Sequence, residues 1–227
     1  MSVTGTALAV GLLGLDQTAF AQVLLSQPLV GGAILGWSVG DPGSGLLAGA
    51  FFQFLCLTDL PVGASVPPDT SLAGLIGVAS YLALGHPPGW GDQALLGLLA
   101  TGFLPLAFLA RSADVRVRRA NRVWLPITQR LLEGGRVRLA QAAANGGLLF
   151  FFLRAFAIAL VALTAVSLWR GAGLNRIAAA APAFALFARC VPLLGLAALL
   201  AQRRRPGWPL ALGTGIAAGI LFARSAA

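Results

Sequence analysis

Lysine is absent from this sequence, so all sixteen cationic side chains are arginine, and none occurs before Arg111. Without lysine there is no P-loop lysine and no Schiff-base lysine, which excludes an ATP site of the chain's own. One histidine and two distant cysteines, Cys56 and Cys190, cannot form a zinc site of ordinary spacing. No Ser-His-Asp arrangement stands out. The lone His86 lies in LGHPPGWGD, a turn between two apolar runs, and reads as a solvated residue more than a catalytic base or phosphate carrier. No cofactor, no metal and no enzyme acting alone are expected. Charge is scarce as well, at 10% of residues against about a quarter in soluble domains.

What fills the chain is apolar: hydrophobic residues make up 58% of it. Several runs approach the ~20 residues that cross about 30 Å of hydrocarbon as a helix. The clearest is Gly147–Trp169, interrupted only by Arg154. The others are Ser2–Leu15, Pro28–Val39, Gly45–Leu57, Ser71–Leu84, Ala94–Ala110, Ile177–Ala201 and Trp208–Ala223. The fold class this predicts is an all-α polytopic membrane protein with about seven or eight apolar segments. The N-terminus lacks the basic start and cleavage pattern of a signal peptide and reads as a retained first helix.

Charge divides the chain into three. Residues 1–110 form an arginine-free membrane half, 111–146 an arginine-rich connection, and 147–227 a second membrane half. Arg111–Arg138 holds eight arginines against Asp114 and Glu133. A basic patch can bind nucleic acid, but between apolar spans the positive-inside rule accounts for it, as a connection on the cytoplasmic side with room for a surface helix. Nucleic acid is therefore not an expected partner. The same rule places Arg203–Arg205 on that side, with Gly147–Trp169 and Ile177–Ala201 as an out-and-back pair joined by a short external loop at Arg170–Arg176.

The first half is built from short segments rich in Gly and Pro, such as GGAILGWSVGDPGSGLLAG at 31–49. Runs of this length predict broken or re-entrant helices, which survive at membrane depth only where protein covers them or a wet cavity lies beside them. In PVGASVPPDTSLAG, residues 61–74, Gly63, Pro67 and Pro68 break the helix and Asp69 follows. Five of the seven acids lie in this cation-free half, which suits an uncharged polar ligand, and sugar hydroxyls are natural partners of such carboxylates. Asp69, Gln53 and Asp16 are the candidate substrate-binding residues, and Arg154 is a possible charge partner. Each has a plainer reading. Asp69 also suits an N-cap, Asp16 a helix end at the interface, Gln53 a bond to a neighbouring helix, and Arg154 snorkelling or neutralising an aspartate.

At this point a family becomes recognisable. Leu15–Asp16, the PL-x-x-G-x-x-x-G-x-x-x-GD run of Pro28–Asp41, Gly49–Gln53 and the turn Gly63–Asp69 resemble, in order, the IIC component of the mannose/sorbose family of sugar phosphotransferase systems. FFFLRAF at 150–156 and CVPLLGLAALL at 190–200 are similar to its later segments. The resemblance implies a permease subunit in the bacterial cytoplasmic membrane that passes a hexose or related sugar. It implies a hetero-oligomer with a IID membrane partner, and soluble IIA and IIB proteins that carry the phosphate. Where the family has a further apolar segment before its last helix, this sequence has RRRPGWP, which leaves the third part short and puts the IID contact in question. Two other readings stand beside it: a non-transporting docking relative, and an unrelated transporter coupled to protons through Asp16 or Asp69.

Overall fold

The computed structural model describes residues 2–17, 22–57 and 67–202. Gly63, Arg203–Arg205 and the segment Trp208–Ala223 lie outside them. The seven other apolar segments are all helical, and no strand occurs among the described residues.

Local chemistry sets the ends of the short helices. In α1 (Val3–Leu15) the Ser2 hydroxyl accepts from the Gly5 amide at 3.1 Å, satisfying a donor the helix leaves open. Helices α2 (Pro28–Val39) and α3 (Pro42–Cys56) each begin with proline, whose fixed φ suits a first helical position. Gly40, at φ 86°, turns the chain between them, and Asp41 Oδ1 caps α3 by accepting from the Ser44 amide at 3.0 Å. With 12 and 15 residues, they span only about 18 and 22 Å, short of a bilayer core.

These two helices form an antiparallel hairpin whose backbones touch. A Cβ added at Gly45 would lie 2.4 Å from the Gly32 carbonyl oxygen and 2.6 Å from the Gly36 Cα. The glycines spaced by four thus permit a backbone approach that any side chain would prevent. This is the pair of short, Gly-rich helices that the sequence pattern allowed.

Helix α4 (Thr70–Leu84) is the centre of the molecule, buried continuously from Thr70 to Tyr81. It packs against α1, α2 and α3, and against α5 (Asp92–Asn121) and α7 (Val137–Trp169). Between the last two lies α6 (Trp124–Glu133), packed on α7. The chain then passes through α8 (Ala172–Arg176) and a 3-10 turn at Ala178–Ala180 into α9 (Ala181–Gln202). By length and composition, Asp92–Glu133, Val137–Trp169 and Ala178–Ala197 can cross a membrane.

Two expectations are corrected. The stretch 111–138 holds more helix than a loop with one surface helix: α5 continues to Asn121, α6 follows, and α7 begins at Val137. Arginine's good helix propensity and its tolerance of an aqueous helix end let the spans run on past their apolar parts. The divisions at 110/111 and 146/147 accordingly fall inside continuous helices. The short connection at Arg170–Arg176 contains α8, and α9 packs on α5 and α3.

The hairpin is testable. Gly45→Ala is expected to destabilise the folded chain by about 1–3 kcal/mol, since backbone must move to admit the methyl group. Gly102→Ala, whose Cβ would meet nothing within 4 Å, should be neutral or stabilising by about 0.5–1 kcal/mol. Thermal unfolding of the two variants in detergent compares them directly; equal losses would contradict the close-packed hairpin.

Candidate functional site

The break before α4 is held by its own aspartate. Asp69 Oδ1 accepts from the Leu72 amide at 3.1 Å, capping α4, while its backbone N–H donates to the Ala107 carbonyl of α5 at 3.1 Å. Pro67 and Pro68 precede it outside any helix, and neither carries an N–H that would need a partner at this depth. The other carboxylate oxygen, Oδ2, meets Arg154 Nη2 of α7 at 2.9 Å.

Arg154 is shared. Its Nη1 lies 3.1 Å from Asp114 Oδ1 of α5, as an ion pair without hydrogen-bond alignment, and donates to the Ala110 carbonyl at 3.2 Å. Asp114 in turn accepts from Arg118 Nε through Oδ2 at 2.5 Å. Asp69, Arg154, Asp114 and Arg118 form a chain of alternating charge across α4, α5 and α7. Its first three members are buried, and Arg118 reaches outward. The Arg154 Nε, also buried, has no partner among the described residues. Arg154 lies seven residues inside the apolar run that begins at Gly147, so the chain sits roughly 10 Å below that boundary.

Gln53 and Asp16 have different neighbours. Gln53 Oε1 accepts from the Leu29 amide at 3.4 Å, one of the open donors of α2, and its Nε2 donates to Gln27 Oε1 at 3.0 Å. Asp16 is buried, and its two oxygens accept from the backbone amides of Val23 (2.8 Å) and Ser26 (3.3 Å). Those bonds hold a connection in which Gln22 and Leu24 adopt φ of 54° and 69°, a conformation costly for side chains with a Cβ. The structure thus joins Asp69 to Arg154 and Gln53 to Gln27, and leaves Asp16 bonded to its own loop.

One end of the short helices nevertheless gathers them all. The C-terminal ends of α1 and α3 and the N-terminal ends of α2 and α4 meet here. A Cβ at Gly14 would touch Leu72 and Ala155, and one at Gly74 would touch Pro28 and Cys56. Buried Ser26, Thr70 and Ser71 add hydroxyls to the same region. Half-helix termini with polar side chains inside a membrane protein are the usual makings of a substrate site.

Asp114 was missed by sequence reasoning because it stands among arginines in a segment read as a loop. The visible signal was its i,i+4 spacing to Arg118, together with a helix that does not stop at Ala110. Gln27 carried no signal beyond preceding a proline. His86 lies in the α4–α5 connection, exposed, 3.1 Å from Asp92 Oδ1 and apart from this site.

The family described as the PTS system sorbose-specific IIC component matches the chain over residues 1–205. A PTS system sorbose-specific EIIC component of Lacticaseibacillus casei is 27% identical over 126 residues, covering 50% of this chain and 44% of that relative. The match thus spans less than half of the curated relative's length. A solved structure described as the mannose transporter ManYZ in complex with microcin E492 superposes at a TM-score of 0.60. It is 17% identical and covers 95% of this chain and 84% of its own. Another, described only as a membrane protein, has a TM-score of 0.58 at 19% identity, covering 98% and 93%. At these identities the two structures show a shared fold.

The ion chain predicts a measurable coupling. Arg154→Gln, which strands the buried Asp69 carboxylate and leaves Asp114 with Arg118 alone, is expected to cost about 3–5 kcal/mol. Adding Asp69→Asn to it should cost far less than the sum of the two single changes, as for residues in one network. Denaturation of the three variants in detergent gives the cycle; additive losses would show that the pair is not coupled.

Proposed function

Because the chain belongs to the PTS sorbose-specific IIC family, we propose that it is the membrane permease subunit of a phosphoenolpyruvate-dependent sugar phosphotransferase system. It binds a hexose or related sugar and passes it across the bacterial cytoplasmic membrane. Phosphoryl transfer belongs to soluble IIA and IIB partners. A IID membrane subunit completes the path as part of a hetero-oligomer, with the arginine-rich face on the cytoplasmic side.

The observation that carries this reading is the buried carboxylate at the broken start of α4, paired with an arginine that has a second carboxylate. A sugar hydroxyl can donate to Asp69 Oδ2 beside Arg154, because a carboxylate oxygen accepts more than one hydrogen bond and the carboxylate keeps its counter-charge. Arg154 Nε, unpartnered and buried, offers the complementary donor to a sugar oxygen. Gln53, half-buried and bonded to Gln27, presents an amide to the same end of the bundle. Asp16 contributes by fixing the connection to α2. The site lies on the arginine-rich side of the span, the side from which a soluble phosphate carrier would reach the sugar.

The broad apolar surfaces left on the hairpin, with Trp37 78% exposed and Leu46 and Leu47 about half exposed, suit lipid or the apolar face of a IID subunit.

Titrating the purified chain with a panel of hexoses and amino sugars, alone and reconstituted with a IID subunit, tests the site. Asp69→Asn keeps the size and removes the charge. It should weaken sugar binding by about 10- to 100-fold, the worth of one charge-assisted hydrogen bond. Gln53→Ala should weaken it less. Uptake into vesicles should require phosphoenolpyruvate and be indifferent to membrane potential. Unaltered affinity in Asp69→Asn would remove that residue from the site, and uptake driven by potential alone would overturn the phosphotransferase assignment.

A further inference from the structure

Helix α6 (Trp124–Glu133) has an apolar surface much wider than its one neighbour covers. It packs on α7, where Trp124 lies against Phe150 with ring centroids 6.4 Å apart and lines the space beside Gly146. At 100° per residue, Trp124, Thr128 and Leu131 fall on one line, and they are the residues of α6 that α7 partly covers. Leu125 and Leu132 flank that line on one side, 63% and 51% exposed, while Val123 and Ile127 flank it on the other. Gln129, Arg130 and Glu133 occupy the opposite face. No residue of α6 is fully buried.

The surroundings define what can cover those flanks. Arg122 before α6, Arg130 on it, Arg136 in the turn after it and Arg138 in the first turn of α7 are all exposed, against one acid, Glu133. Val137 and Leu139, also exposed, extend the apolar strip into the first turn of α7. The apolar parts of α5 and α7, at 94–110 and 147–169, both lie beyond the polar ends that α6 joins, so with those parts in the bilayer a ten-residue helix tied between them sits at its boundary. An apolar arc flanked by arginine at that level is the pattern of a helix lying in the interface. Strong cationic excess there favours negatively charged headgroups.

We propose that α6 is an interfacial helix that docks on anionic phospholipid. Leu125, Leu132, Val123 and Ile127 enter the boundary of the acyl chains, and Arg122, Arg130, Arg136 and Arg138 bind the phosphates. The arginine stems lie along the apolar strip and carry their guanidinium groups to headgroup level. The arrangement fixes the connection between the two long spans at a set depth, and with it the level of Asp114, Arg118 and Arg154. This inference depends on the membrane placement of α5 and α7 and is independent of which ligand the chain carries.

The test uses the full chain in lipid nanodiscs, made either of phosphatidylcholine alone or with phosphatidylglycerol added. Nitroxide labels go one at a time at Leu125→Cys, Gln129→Cys and Leu132→Cys, in a background where Cys56 and Cys190 are alanine. These positions are exposed, and thermal unfolding of each labelled chain verifies that it is folded. Labels at 125 and 132 should be accessible to oxygen and shielded from a water-soluble nickel complex, at a depth of about 5–10 Å, and the label at 129 should show the reverse. Phosphatidylglycerol should move 125 and 132 deeper, and a variant carrying Arg122→Gln, Arg130→Gln, Arg136→Gln and Arg138→Gln should lose that shift. Nickel accessibility at 125 and 132 equal to that at 129 would overturn the interfacial placement and leave the flanks to a soluble partner. Shielding that is identical in both lipids would overturn the anionic-headgroup contact.

Discussion

The position of Arg154 constrains everything around it. A guanidinium inside an apolar span is costly to desolvate, and it persists only where carboxylates and carbonyls meet it. Asp69, Asp114 and the Ala110 carbonyl do so from two different helices. That requirement fixes the start of α4, the depth of α5 and the rotation of α7 relative to each other. It also explains why the chain breaks where it does. Asp69 can reach Arg154 and cap α4 together only if the helix begins at Thr70, and the two prolines before it prevent an earlier start.

Around this charged pivot the packing is close and made of small residues. Glycine-to-glycine contact makes the α2–α3 hairpin thin enough to lie against α4, whose own Gly74 and Gly77 receive Pro28 and the Phe52 ring. Phe52 stacks on Phe103 of α5 in turn, with centroids 5.9 Å apart. Two helices shorter than a bilayer core are thereby sheltered on one side by a helix buried from Thr70 to Tyr81. Their polar ends face the region that holds Gln53, Asp16 and Asp69. Irregular backbone in an apolar interior must not strand its amides, and here the first turns of α2, α3 and α4 are met by Gln53, Asp41 and Asp69, and the connection before α2 by Asp16.

Much of this was visible beforehand because hydropathy and helix punctuation are local properties. Pro28 and Asp69 mark boundaries through their own φ or side-chain oxygen, and helices start there, whereas α3 begins at Pro42, three residues before the apolar run at Gly45. The arginine-rich stretch was read as a loop for a physical reason. Between Ala110 and Gly147 hydropathy falls, and loss of hydropathy looks like the end of a helix, although arginine continues one readily in water. The ordered set of Asp, Gly-spaced and Pro-Pro-Asp motifs pointed to the family, yet it said nothing of Asp114, whose importance lies in a contact made across 40 residues of sequence.

The sequence by itself determined that this is a polytopic helical membrane protein, where its short helices begin, and which family it belongs to, because each depends on the composition and order of neighbouring residues. Only the tertiary structure decided that Asp69 and Asp114 share Arg154, that Gln53 meets Gln27, and that Asp16 is spent on its own loop. Those pairings rest on distances of about 3 Å between residues far apart in the chain. Charge can be counted from a sequence, but which charges neutralise one another in a low-dielectric interior depends on where the helices place them.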